Sequence, residues 1–122
     1  PSPSTARRLV ALDVDGTTID HDGELSDVVR EAVRAVAGAG HHVVIATGRA
    51  VVATLPILAR LGLTDGWAVC SNGAVTIRLD ERLTEGYEIV EAVTFDPAPG
   101  LEMLRDAWPG ALIAREEGGV GL

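Results

Sequence analysis

Three short, almost wholly apolar runs, each stopping at a cluster of small polar residues, constrain this chain more than any other feature. Leu9-Val-Ala-Leu12 stops at Asp13, Val43-Val-Ile-Ala46 at Thr47, and Trp67-Ala-Val-Cys70 at Ser71. A continuous apolar run bounded by turn residues reads as a strand covered on both faces, as in the centre of a parallel sheet. Between the first two runs, Ser26 fits an N-cap, and Val29, Ala32, Val33, Val36 and Ala37 recur at the spacing of one helical face. That helix is expected to close at Gly38 to Gly40, where glycine can take the left-handed conformation. Between the second and third runs, Ala50 to Leu61 fits a helix, with Pro56 expected to kink it or to define its first turn. The alternation predicts an α/β fold with a doubly wound, Rossmann-like parallel sheet and right-handed crossovers.

From Ala74 the pattern changes. Val75, Ile77 and Leu79 alternate with Thr76, Arg78 and Asp80, as in a half-exposed strand of an antiparallel sheet. A strand over Glu88 to Phe95 and a helix opened by Asp96-Pro97, with Leu101, Leu104 and Trp108 on one face, are expected next. Ala111 to Arg115 fits a further strand, and residues 1–6 and 118–122 read as unstructured ends. The change in pattern places a boundary near Gly73, giving residues 7–73 as one unit and 74–122 as the beginning of an α+β domain.

Composition narrows the function. With 47% hydrophobic and 23% charged residues in 122, the chain can build an ordinary core. Ten Arg, no Lys and 18 acidic residues give a net charge of −8, with no basic stripe to displace counterions from nucleic acid. Nucleic acid is therefore not expected as a partner. Neither is a membrane, since no apolar run reaches the roughly 18 residues a crossing needs. Cys70 cannot form an internal disulfide and sits in an apolar setting, which fits a packing role in a reducing, cytoplasmic environment. His41 and His42, adjacent on a strand, point to opposite faces and are read as packing or solvated groups.

The chemistry is expected at the strand ends. DVDGTT at 13–18, TGR at 47–49 and SNG at 71–73 follow the three predicted strands. The carboxyl ends of strands in an open α/β sheet form the ligand crevice, so these clusters converge on one rim. Asp13 and Asp15, two residues apart, face the same side of an extended chain. Two carboxylates held close repel, which marks the pair as a hard-cation site or an acid/base pair. Gly16 supplies a tight turn, and the Thr17 and Thr18 hydroxyls are available to an anion. The Thr47 hydroxyl, the Gly48 amide and Arg49 form a second anion-ready group.

DVDGTT after one apolar strand and ATGR at 46–49 after the next closely resemble the haloacid dehalogenase (HAD) superfamily of phosphatases. SNGA at 71–74, followed by alternating strands, resembles its Cof-type subgroup, which inserts an α/β cap after the third core strand. The resemblance implies that Asp13 is a nucleophile forming an aspartyl-phosphate and that Asp15 is the general acid and then the base. It implies Mg²⁺ held by the Asp13 carboxylate and the Asp15 backbone carbonyl, and Thr47 and Gly48 binding the phosphoryl group. Arg49 and Asn72 are expected to orient substrate or brace the core-to-cap junction. The implied substrate is a small phosphorylated metabolite, for example a sugar phosphate. The oligomeric state is not indicated.

The family's phosphate-binding lysine and its later acidic metal ligands have no counterpart in a chain without lysine or a GDxxND-like loop. The expectation is that residues 1–122 form an N-terminal part of a longer phosphatase. A non-catalytic fragment or binding module, and a phosphomutase in full length, are the alternatives. A calcium loop built on Asp13, Asp15, Asp20 and Asp22 is disfavoured by the preceding strand and the misplaced glycine. A glycosyltransferase DxD pair would not require ATGR. Trp67, Trp108 and Leu101 are read as core, and Glu116-Glu117 as a solvated edge.

Overall fold

The computed structural model describes residues 6–118 and 120–121. Strand β1 (Leu9–Leu12), helix α1 (Asp27–Gly38), strand β2 (His42–Ala46), helix α2 (Val51–Leu61) and strand β3 (Asp65–Cys70) form the expected alternation. A single 3-10 turn at Ser71–Gly73 reverses the chain into β4 (Val75–Asp80) and β5 (Tyr87–Ala92). Helix α3 (Ala98–Ala107) and a hairpin of β6 (Glu116–Glu117) and β7 (Val120–Gly121) complete the described elements. One five-stranded sheet runs β1-β2-β3-β4-β5, with the first three strands parallel and the last two antiparallel. The sheet thus continues across Gly73 even though the chain turns back there.

Both crossovers step the same way along the sheet, so right-handedness places α1 and α2 on one face, where they touch each other. Among the described residues these two helices cover one face of the parallel strands. Burial alternates along β2 and β4, and a row of Leu12, Ile45, Ala68 and Ile77 crosses the sheet on the helix side. The opposite row carries Val44, Trp67, Arg78 and Glu88. Trp67 is accordingly 43% exposed rather than core. Among the described strands β1 is the outermost, with Leu9 exposed.

The core draws Val33 from α1, and Val51, Ile57, Leu58 and Leu61 from α2, onto Val43, Ile45, Ala68, Cys70, Val75, Ile77 and Leu79. Cys70 is fully buried, and burial pushes its thiol pKa up, which keeps it an inert packing group. Helix α1 starts where its sequence indicates, because the Ser26 side chain accepts a hydrogen bond from the Val29 amide at 3.2 Å. Ser26→Ala is expected to lower stability by about 1 kcal/mol, with Ser26→Asp restoring it, as read from urea unfolding midpoints. Helix α2 runs through Pro56 and closes on Gly62 at φ +72°, a left-handed position open to glycine.

The second half departs further from expectation. Strand β5 stops at Ala92, and α3 buries none of its residues, so Leu104 and Trp108 are exposed and Leu101 is half-buried rather than core. Residues 111–115 form no strand, and pairing appears instead at Glu116–Glu117 with Val120–Gly121. The expected frayed start lies outside the described residues apart from Ala6, as do Gly119 and Leu122 at the other end. At the turn after β4, Arg82 and Arg78 bond to Asp80 and hold its carboxyl well below the usual carboxylate range.

Candidate active site

The rim is built by three loops at the carboxyl ends of β1, β2 and β3. The chain leaves β1 in alternating fashion, with Val14 fully buried and Asp13 and Asp15 exposed on either side of it. Both aspartates are therefore open to solvent at the end of β1. A tight turn follows, in which the Val14 carbonyl accepts from the amides of Thr17, Thr18 and Ile19 at 3.0–3.2 Å. Gly16 sits in it at φ +74°, and a Cβ there would lie 3.3 Å from His21 Cε1. The turn places Thr17 Oγ1 to donate to Asp13 Oδ2 at 3.1 Å and the buried Thr18 Oγ1 to donate to the Asp13 carbonyl at 2.6 Å. Thr17 and Thr18 thus fix Asp13 from both its side chain and its backbone.

The second loop is pinned to the third. The Thr47 amide donates to the Val69 carbonyl, the Ser71 amide to the Arg49 carbonyl and the Asn72 amide to the Thr47 carbonyl, at 2.8–3.1 Å. Thr47 is buried, and its Oγ1 accepts from the Arg49 amide at 3.1 Å, which leaves the hydroxyl proton available for donation. Gly48 lies close under the Asn72 side chain, and a Cβ there would lie 2.9 Å from Asn72 Oδ1 and displace that amide. Ser71 and Asn72 both take positive φ, 52° and 54°, an uncommon conformation for non-glycine residues.

Arg49 joins the second loop to the first. Its Nε donates to Asp15 Oδ2 at 2.9 Å and its Nη2 to Asp15 Oδ1 at 2.7 Å, a two-bond fork across the carboxylate. Its Nη1 also donates to the Ala53 carbonyl at 3.3 Å. The hydrogen bonds from Arg49, with its charge beside them, hold the Asp15 carboxyl below its ordinary pKa. The fork favours the charged form of Asp15, the form that accepts a proton. All three sequence clusters therefore meet, and Asp13, Asp15, Thr47, Gly48, Arg49 and Asn72 lie on loops in mutual contact through these bonds.

Two features of the rim were not visible in sequence. Arg49 faces Asp15 across 34 positions of chain, and Ser71 Oγ donates to Glu116 Oε1 from the terminal hairpin. Glu116, read as a solvated edge, instead reaches the third loop. Nothing in the local sequence around Glu116 signals that contact. Asp20 takes part in a turn, accepting from the Asp22 and Glu24 amides, which agrees with setting aside the calcium loop.

Among the described residues no group of three or more His, Cys, Asp or Glu could enclose a metal ion. Mg²⁺ does not need such a cage, because it is bound through one or two carboxylates and completes its shell with water and substrate phosphate. The exposed Asp13 carboxylate fits that requirement. The Asp15 carboxylate is instead committed to Arg49.

Fold and rim together define an α/β protein whose parallel strands present an acidic pair beside anion-ready loops. The chain belongs to the haloacid dehalogenase-like hydrolase family, whose model matches residues 10–95. It is 32% identical over 95 residues to the phosphatase YwpJ of Bacillus subtilis, covering 78% of this chain and 33% of that protein. Among solved structures it is similar to a haloacid dehalogenase-like hydrolase from B. subtilis, with a TM-score of 0.61 and 29% identity, covering 81% of this chain and 32% of the other. It also shares the fold of the HAD subclass IIB sugar phosphatase BT4131, with a TM-score of 0.63 and 21% identity, covering 84% of this chain and 38% of the other. The chain spans about a third of the length of the curated relatives it matches. Among the described residues no helix is long and apolar enough to cross a membrane.

Proposed function

We propose that the chain is the nucleophile-bearing part of a Mg²⁺-dependent phosphatase acting on a small phosphate monoester such as a sugar phosphate. The observation that carries this reading is Asp13 oriented by Thr17 and Thr18, two residues from an Asp15 held in the Arg49 fork. A carboxylate fixed in this way is suited to in-line attack on phosphorus. An Asp13 oxygen forms a bond to phosphorus as the ester P–O bond breaks, and the departing oxygen takes a proton from the Asp15 carboxyl. Water then attacks the aspartyl-phosphate. Asp15 receives the water's proton, and the Asp13 carboxylate is restored as inorganic phosphate leaves. Thr47 and the Gly48 amide donate to the phosphoryl oxygens, on which negative charge is spread in the transition state. Arg49 and Asn72 brace this arrangement from the adjoining loop.

Bound Mg²⁺, held by the Asp13 carboxylate and the Asp15 carbonyl, would offset the repulsion between an anionic nucleophile and an anionic phosphate. The division into residues 7–73 as catalytic core and 74–122 as the opening of a cap is part of the same proposal. So is completion of the site by a lysine and further acidic residues from the complete enzyme, since this sequence contains no lysine. Similarity to named phosphatases supports the reading. Crystals of the complete enzyme soaked with Mg²⁺ and beryllium fluoride test it. The phosphoryl mimic is expected on Asp13, within hydrogen-bond reach of Thr47 and Gly48, and a mimic bound elsewhere overturns the reading.

A further inference from the structure

We infer that Arg49 is a positioning residue for Asp15 in the second half of the reaction, the breakdown of the aspartyl-phosphate. The inference rests on the phosphatase reading above. An ionised carboxylate offers about four lone-pair directions, and the Arg49 fork occupies two of them, one on each oxygen. Two directions remain, and the plane of the carboxylate is set by the guanidinium. Without the fork, an aspartate whose side chain is 60% exposed would move among several rotamers.

Arg49 is itself held rather than loose. Its amide is bonded to Thr47 Oγ1, its carbonyl receives the Ser71 amide, and its guanidinium also reaches the Ala53 carbonyl. A half-exposed ion pair contributes little to stability, so packing alone gives little reason for fixing the arginine from four directions. The geometry instead delivers an oriented carboxylate to the rim that carries Asp13. In the step it serves, the water oxygen bonds to phosphorus and the water proton passes to an Asp15 oxygen. The bond between phosphorus and the Asp13 oxygen breaks with its electron pair returning to Asp13.

Formation and breakdown of the intermediate separate cleanly with p-nitrophenyl phosphate, whose leaving group departs without a proton donor. In the complete enzyme, Arg49→Ala is expected to give a burst of nitrophenolate close to one equivalent per active site. The steady rate after it should be at least ~10-fold below wild type, a part of the 10²–10⁴ that a positioned general base contributes. Because kcat/KM reports formation alone, it should change less than about threefold. Arg49→Lys keeps the charge but not the planar fork, and is expected to show the same pattern; it is read in place of Arg49→Ala should the latter not fold. No burst, with kcat/KM falling in step with kcat, would mean that Arg49 binds substrate and would overturn the inference alone. Turnover that survives in Asp13→Asn overturns the phosphatase reading and this inference with it.

Discussion

In the complete enzyme, Asp13→Asn is expected to lower kcat toward p-nitrophenyl phosphate by at least on the order of 10⁴-fold, the scale seen when a covalent nucleophile is removed. The amide keeps the size of the side chain and can still accept from Thr17, whose hydroxyl now bonds to Asp13 Oδ2 at 3.1 Å. It lacks the charge and the electron pair needed to displace an alkoxide from phosphorus. The loss should appear in kcat with an unchanged urea unfolding midpoint, because Asp13 is exposed and not part of the core. Residual activity above about one-hundredth of wild type would show that another group attacks phosphorus.

Ile77→Ala carries the largest expected effect on stability. Ile77 is fully buried at the middle of β4, beside Ala68 on one neighbouring strand and Ile89 on the other. Truncation removes three carbons from a close-packed site between two strands that cannot move together without breaking their ladder. The expected cost is 2–5 kcal/mol, the usual range of about this size for a buried Ile truncated to Ala. Ile89→Ala is the comparison, since Ile89 is 42% exposed and should cost less than about 1 kcal/mol. Urea unfolding followed by circular dichroism measures both, and equal midpoints for the two variants would contradict the burial argument.

The first half of the fold was legible because its signals are local. The spacing of Val29, Val33 and Val36, the Ser26 cap and the glycine stops mark helices within a few residues of the predicted ends. The clusters at 13–18, 47–49 and 71–73 converge because parallel strands joined by right-handed crossovers place all their carboxyl ends on one side. The second half was less legible. Leu104 and Trp108 have the spacing of a buried face, yet α3 buries nothing, because helical periodicity shows that a stripe exists without showing what covers it. Trp67 stood in an unbroken apolar run but faces away from both helices, since the run does not reveal which face the crossovers cover.

The amino-acid sequence by itself determined the order of elements, the ends of the main helices and the position of Asp13 and Asp15 just after β1. Each depends on residues within one turn or one strand of each other, where backbone geometry leaves few alternatives. Only the tertiary structure decided that Arg49 clasps Asp15 and that Ser71 meets Glu116. Those contacts join residues 34 and 45 positions apart. They depend on how far long side chains reach once the strands are in register, which no local pattern encodes.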